Sequence, residues 1–175
     1  NEEIIANTVI SKSVVVDVQH LKTASHVAKG VACSQLRKEP EWKTWTAKQR
    51  NSKINARVHR LLNEYTDNPA ALVDMHFDYS IAQLARPLGL SQEELKSKVP
   101  MNKSSGERVI YQGLPTELAI RLEGLIKDRR IKGFFFREEK RRWYPAPELA
   151  SHLVGYVNRS GKGMAGVEAS MNKWM

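Results

Sequence analysis

The chain has 175 residues, of which 41% are hydrophobic and 27% are charged. That length suits one ordinary domain, or a domain with a small appended lobe, and is too short for two full domains. No apolar run approaches the roughly 18 residues of a membrane span, and no basic and apolar leader indicates a signal peptide. Cys33 is the single cysteine, which excludes an intramolecular disulfide framework and a zinc site built from cysteines.

The net charge points to anionic partners. Lys and Arg number 28 against 19 Asp and Glu, which gives a formal net charge of +9 at pH 7. Such an excess predicts attraction to polyanions, and nucleic acid, an anionic lipid surface and an acidic cell-wall polymer all satisfy it. The choice among them has to come from motifs.

The first half of the chain predicts one strand followed by helices. Branched residues across 7–16 predict a largely buried strand. Apolar residues at helical spacing then predict a helix to about Leu36, after which Pro40 breaks the chain. A second helical stretch covers residues 42–65, and a short helix is predicted at 80–86.

The second half alternates short helices and strands. Ser91 and Glu94 form a capping box that predicts a helix toward Lys98. A loop at 102–106 precedes a predicted strand at 107–111, and Pro115 suits the first turn of the next helix.

Near the end, a strand is predicted at 133–136 before the charged stretch 137–142, and a helix at 148–157 before a glycine-rich loop. The fold class is therefore α+β, with a small sheet built from N- and C-terminal strands packed with helices. Polar runs and few aliphatic clusters predict that residues 42–105 form a mainly helical inserted lobe, more mobile than the rest.

Two short motifs imitate catalytic or cofactor sites. Residues 161–166 satisfy G-x-G-x-x-G, but a helix is predicted before them and no room for a βαβ unit follows, so dinucleotide binding is not expected. Ser170 opens an S-x-x-K match, yet thirteen serines and fifteen lysines in 175 residues make about one such match expected by chance. The five histidines show no metal-ligand spacing, and no metal or cofactor is predicted.

An ordered series in the last third of the chain is more specific. It comprises R-W-Y-P at 142–145, A-S-H-L-V-G-Y-V-N at 150–158, and the glycine-rich segment 161–166 followed by Val167 and Glu168. This series resembles the non-catalytic N-terminal module of class B penicillin-binding proteins, where R-x-Y-P, A-x-H-x-x-G-[FY], a glycine turn and G-[VIL]-E follow one another. Its end, Gly166-Val167-Glu168 together with Asn172-Lys173-Trp174, looks most like the cell-division branch, the septal transpeptidases.

The start of the chain is similar to the same family, and the middle is not. Residues 1–6 resemble the end of the family's opening motif, with Glu2 where glycine is usual. Residues 16–18 resemble its V-x-x-D-P ending, with Val18 in place of proline. Residues 42–105 match no motif of the family.

The resemblance implies that residues 1–175 form a single non-catalytic pedestal, or dimerisation, domain without its membrane anchor and transpeptidase domain. The full-length parent would be a D,D-transpeptidase that crosslinks septal peptidoglycan, anchored in the inner membrane and acting in the cell envelope outside it. The fragment would be no enzyme, with no catalytic residue and no cofactor. It would position the transpeptidase domain and bind the septal glycosyltransferase and division activator proteins, and the module's traditional name does not establish a homodimer.

The structural motif residues are Arg142, Tyr144, Pro145, Gly155, Gly163, Gly166 and Glu168. Pro145 biases Tyr144 toward extended geometry and ends the strand before the next helix. Gly155, placed inside that predicted helix, indicates a neighbour that packs closely. Arg142 is the natural partner for the Glu168 carboxylate, and we predict an ion pair between them.

A basic nucleic-acid-binding protein is the alternative. Aromatic residues beside the basic clusters 127–130 and 140–142 are typical of surfaces that hold single strands. A hairpin whose aromatic residues face the core explains the same pattern, and Glu138 and Glu139 weaken phosphate binding. We expect no specific nucleic acid, and a gene that continues into S-x-x-K, S-x-N and K-T-G motifs would discriminate.

Overall fold

The computed structural model describes residues 7–102, 106–144, 154–158 and 161–172, the side chains of 141–143 excepted. The chain divides into two compact units. The terminal unit comprises Asn1–Lys12 and Glu138–Met175, and the central unit comprises Ser13–Arg137. Strands and helices are segregated as in α+β proteins, which confirms the predicted fold class.

The strands are β1 (Asn7–Asp17), β2 (Glu107–Leu114) and β3 (Phe134–Trp143), which form one antiparallel sheet in the order β2–β1–β3. The helices are α1 (Val18–Lys22), α2 (Ala24–Leu36), α3 (Ala47–Glu64), α4 (Pro69–Leu84), α5 (Gln92–Lys98), α6 (Thr116–Arg129) and α7 (Gly166–Ser170). Short 3₁₀ turns lie at Pro40–Lys43 and Arg86–Leu88.

The buried half of β1 holds the core of the central unit. Val14, Val15 and Val16 are at most 1% exposed, whereas Val9 and Ile10 are exposed. The predicted burial of this strand is therefore confirmed for its second half only. The apolar faces of α4 and α6 contribute to the same core, and α2 packs against α3 and α4 around a second buried cluster.

Helix α4 is the largest departure from the predicted elements. A helix was expected at 80–86, but α4 begins at Pro69, which occupies its first turn. The apolar pattern underestimates this helix because His76 and Ser80 lie at fully buried positions of its inner face. The helix predicted to end near Leu36 is also divided, since Thr23 is extended between α1 and α2.

Two termini follow their capping residues. The Ser91 hydroxyl accepts a hydrogen bond from the Glu94 amide at 3.1 Å, and the Ser91 amide donates to Glu94 Oε2 at 2.7 Å, which confirms the predicted capping box of α5. Thr46 and Gln49 form an equivalent box at the start of α3. The central unit contains residues 42–105, and the prediction that they form an inserted lobe stays a prediction.

Both C-terminal predictions need correction. β3 does not end at residue 136 but continues to Trp143 through the charged stretch, because alternating positions can carry charge on an antiparallel strand. Of the predicted helix 148–157, residues 145–153 lie outside the described part, and residues 154–157 are not helical. Val157 instead forms an antiparallel bridge with Gly163.

Candidate functional site

Gly155, Gly163, Gly166 and Glu168, four of the motif residues, lie in a small turn of the terminal unit, which we call the glycine turn (154–158 and 161–172). Two backbone hydrogen bonds align its arms: the Met164 amide donates to the Tyr156 carbonyl and the Asn158 amide to the Lys162 carbonyl, each at 2.8 Å. The Gly161 amide closes the return on the Asn158 carbonyl at 3.0 Å. The arms are thus paired as a short antiparallel ladder.

Helix α7 is attached to this ladder through its first turn. Gly166 begins α7 with φ +58°, a conformation that glycine adopts at little cost. The Glu168 amide then donates to the Val154 carbonyl at 2.9 Å. That bond satisfies one of the amides that a helix N-terminus leaves without a partner inside the helix.

Gly155 and Gly163 are required by close backbone contacts. A Cβ atom at Gly155 would lie 1.8 Å from the Ala165 carbonyl oxygen, and one at Gly163 would lie 2.0 Å from the Glu168 carbonyl oxygen. The close neighbour inferred at Gly155 is present, but the reason for it was wrong. Gly155 lies outside any helix at φ +79°, so both its conformation and its surroundings demand glycine.

Asn172 fixes the same turn from the end of α7. Its Oδ1 accepts from the Gly163 amide at 2.7 Å, and its Nδ2 donates to the Gly163 carbonyl at 3.0 Å. The family resemblance includes Asn172 as a marker of the cell-division branch but gives it no structural role, because the pairing of one amide side chain with both polar groups of one glycine depends on the folded turn.

Glu168 is the buried carboxylate of this site. Glu168 is only 3% exposed, and its Oε1 accepts a hydrogen bond from the Tyr144 hydroxyl at 3.4 Å. Arg142 lies on β3, but its side chain and all of Pro145 lie outside the described residues. The Arg142–Glu168 ion pair therefore stays a prediction.

The G-x-G-x-x-G match at 161–166 and the S-x-x-K match at Ser170 take part in hydrogen bonds within the glycine turn. The amides of Gly163, Met164 and Glu168, which would have to face a pyrophosphate, are already donated within the turn. The Ser170 hydroxyl donates to the Gly166 carbonyl at 3.2 Å. Within the described residues no group of three His, Cys, Asp or Glu side chains is placed to bind a metal.

A second polar group is buried in the central unit. The ring of His76 is fully buried, and its Nε2 lies 3.1 Å from both the amide nitrogen and the carbonyl oxygen of Lys132. The Ser80 hydroxyl lies 3.3 Å from the same nitrogen. The pKa of His76 is lowered to about 4, mainly by burial; the hydrogen bond to the Lys132 carbonyl opposes this shift, and the charges of His20 and Lys132 add to it. His76 is therefore a neutral core residue near pH 7, more deeply buried than expected of scattered histidines.

The described residues of the sequence motif thus build a glycine-rich turn held by backbone contacts, and a family model matches most of the chain. The Penicillin-binding Protein dimerisation domain model matches residues 6–173. The chain belongs to this family, which confirms the resemblance found from the motifs.

Individual relatives show which members of the family the chain is similar to. The chain is 34% identical over 92 residues to Peptidoglycan D,D-transpeptidase FtsI of Escherichia coli (strain K12), a match that covers 53% of this chain and 15% of that protein. FtsI of Buchnera aphidicola subsp. Schizaphis graminum is 29% identical over 82 residues, covering 44% and 14%. A probable FtsI of Caulobacter vibrioides is 43% identical over 42 residues, covering 24% and 7%. The matches thus span a small part of each relative's length.

Among the described residues, none of the helices has both the length and the apolar character to span a membrane.

Proposed function

We propose that this chain is the non-catalytic pedestal of a penicillin-binding protein that crosslinks septal peptidoglycan. The family match and the similarity to FtsI support the class, and the D,D-transpeptidase activity for which those relatives are named supports a D,D-transpeptidase parent. Because peptidoglycan lies outside the cytoplasmic membrane, the pedestal belongs in the cell envelope, with the parent anchored in the inner membrane. The family match adds nothing to the nucleic-acid-binding alternative.

The observation that carries this proposal is the glycine turn. Its contacts are between backbone atoms, and the Asn172 side chain holds both polar groups of Gly163. Such contacts involve few side-chain rotamers that could change. The turn therefore keeps a fixed geometry and can hold an attached domain in one position. A pedestal that sets the place of a transpeptidase domain needs a joint of this kind.

The pedestal itself contributes no bond-making step in this proposal. Ser170, the serine of the S-x-x-K match, lies on a five-residue helix and donates its hydroxyl proton to a backbone carbonyl. The role of the pedestal is to hold its own transpeptidase domain and to bind the septal glycosyltransferase and division activator proteins.

The test uses the full-length parent protein in cells depleted of the native copy. We expect Gly163→Ala to retain labelling by a fluorescent penicillin, because the transpeptidase domain folds separately, while the cells fail to divide and form filaments. Lys162→Ala is the control, since Lys162 is an exposed residue next to Gly163 and lies outside the close backbone contacts. Normal division with Gly163→Ala would contradict a positioning role for the turn.

The inert character of the fragment is tested separately. The 175-residue chain is incubated with the fluorescent penicillin and separated on a denaturing gel, where we expect no covalent band. A band that disappears with Ser170→Ala would show that the pedestal reacts, contrary to the proposal.

A further inference from the structure

A cluster of tryptophan and basic side chains lies in the central unit, where α2, α3 and the Pro40–Lys43 turn meet. The Cζ atoms of Arg37 and Arg50 lie 5.0 Å and 5.2 Å from the centre of the Trp42 ring. Lys53 Nζ lies 4.4 Å from the centre of the Trp45 ring. These distances are within the range of cation–π interactions.

A cavity of about 330 Å³ opens beside this cluster, and we call it the Trp42 cavity. Its apolar wall includes Cys33 and Ile54, both buried. Its polar wall includes Arg50, Lys127 and Arg130. The volume is at the lower end of ligand pockets, which suits one or two side chains rather than a whole macromolecular strand.

The charges around the cavity are not balanced within the described part of the chain. Asp128 is the acidic residue of its lining, and that carboxylate is already paired with Arg37 and lies 3.7 Å from Arg129 Nε. No described carboxylate pairs with Lys127 or Arg130. The cavity therefore presents positive charge to whatever enters it.

Two of the cations are held in place before any ligand arrives. Arg50 donates from Nε to the Trp42 carbonyl at 3.0 Å and from Nη2 to the Lys43 carbonyl at 3.3 Å. Arg130 donates from Nη2 to Asn51 Oδ1 at 2.8 Å. A cation fixed in this way loses less conformational entropy when it binds an anion.

The backbone of Arg130 strengthens this interpretation. Arg130 follows α6 at φ +56°, and within the described ranges it is the residue other than glycine with a positive φ. Glycine or asparagine is the usual choice at such a helix end. A strained conformation kept by an arginine at a cavity indicates that its side chain has a function there.

We propose that the Trp42 cavity binds an acidic peptide segment of a partner protein. Carboxylates of the segment contact Arg50, Lys127 and Arg130, and an apolar side chain between them packs on Trp42 and Ile54. The partner class rests on the proposed function, since a pedestal binds other proteins. The confined volume and apolar wall favour a peptide over a nucleic acid, which needs a long track of phosphate contacts.

The probe is a fluorescein-labelled twelve-residue peptide that repeats Glu-Glu-Leu, titrated with the 175-residue chain by fluorescence anisotropy at about 0.15 M salt. The peptide that repeats Gln-Gln-Leu tests the need for carboxylates, and a twelve-nucleotide oligothymidylate tests nucleic acid. We expect the acidic peptide to bind and the other two to bind at least about tenfold more weakly.

Matched variants separate the cavity from net charge. Lys127→Gln/Arg130→Gln removes two cavity cations, and Arg86→Gln/Arg121→Gln removes two exposed cations elsewhere, so both lower the formal net charge by two. We expect a loss of peptide affinity of at least about tenfold in the first and less than about twofold in the second. If the first variant has a lower melting temperature than the unaltered chain, Lys127→Gln alone replaces it, and the expected loss of peptide affinity is about threefold.

Three results would overturn the inference. Equal weakening in both double variants would mean non-specific charge attraction, and equal or tighter binding of oligothymidylate, lost in the cavity variant, would mean a nucleic-acid surface. No binding of the acidic peptide by the unaltered chain would leave the cavity without this ligand. That last result would not affect the pedestal proposal, whose division test depends on Gly163 and not on this cavity.

Discussion

A Cβ atom added at Gly163 in the glycine turn would lie 2.0 Å from a backbone oxygen, whereas one added at Gly30 in the central unit would lie 2.3 Å from the His76 ring. A side chain can be replaced by a smaller one, but a carbonyl group cannot. The turn therefore requires glycine at such positions, and that requirement is visible directly in the sequence. At Gly30 in the central unit the nearest obstacle is instead a side chain, so the space there depends on which residue occupies position 76.

The largest effect is expected at the buried carboxylate of the turn. If Arg142 pairs with Glu168, which is 3% exposed, Arg142→Ala should lower the free energy of unfolding by roughly 3–5 kcal/mol, because it strands a buried charge. A double-mutant cycle of Arg142→Ala and Glu168→Ala, measured by denaturant unfolding, gives the coupling energy. Arg141→Ala is the neighbouring control. A coupling energy of zero would show that this pair does not hold the joint.

The contact at Gly163 should cost almost as much. We expect Gly163→Ala to lower the free energy of unfolding of the terminal unit by at least about 3 kcal/mol, since the Glu168 carbonyl cannot move aside without breaking α7. Gly124→Ala should leave it unchanged or slightly higher, because Ala favours the helix. Denaturant unfolding followed by near-ultraviolet circular dichroism measures both variants, and equal stability of the two would refute the backbone contact.

His76 makes the central unit sensitive to acid. Well above pH 6.5 the imidazole is neutral whether the chain is folded or unfolded. As the pH falls from 6.5 toward 4, the unfolded chain takes up a proton that the folded chain excludes, so the free energy of unfolding falls by up to about 3 kcal/mol.

Most of the acid sensitivity should depend on that one ring, and His20, whose pKa is also lowered by burial, adds a smaller part. His76→Gln can still accept the Lys132 amide but does not titrate, so its stability should depend less on pH between 6.5 and 4. His59→Gln, at an exposed position of α3, should keep the original dependence. Chemical denaturation at several pH values distinguishes them, and parallel curves for His76→Gln and the unaltered chain would contradict the assignment.

The contrast between the two glycines can be tested by repair. Gly30→Ala should cost about 2 kcal/mol, and His76→Ala in the same chain should recover part of that cost because the ring is the nearest obstacle. Recovery stays partial, since the Arg130 carbonyl oxygen lies 2.9 Å from the added atom. Strictly additive losses would mean that the His76 ring does not limit the space at Gly30.

Local rules predicted most elements of the fold. The valines of β1, the Ser91–Glu94 box and the helix after Pro115 act within a few residues, so the sequence around them determines the outcome. The start of α4 was missed because buried polar residues interrupt its apolar face. The signal that was available there is Pro69 in the first turn, and at α3 it is the Thr46–Gln49 box.

The candidate site was only half predictable. Four residues of the site could be located because they belong to the sequence motif of the family: Gly155, Gly163, Gly166 and Glu168. The positive φ of Gly155 and the Asn172 bonds to Gly163 could not, because both depend on how the two arms of the turn meet. The Trp42 cavity was not predicted, since its lining comes from separate helices.

The central claim is that the glycine turn is a firmly held joint, and amide hydrogen exchange tests it most directly. In the 175-residue chain we expect the amides of Gly163 and Glu168 to exchange slowly, and Asn172→Ala to accelerate Gly163 by about tenfold, the loss of roughly one hydrogen-bond equivalent. Lys162→Ala, at an exposed side chain of the same turn, is the control, and it should leave the Gly163 and Glu168 amides protected. Rapid exchange at both amides of the unaltered chain would contradict the account, because a turn that opens freely cannot position another domain.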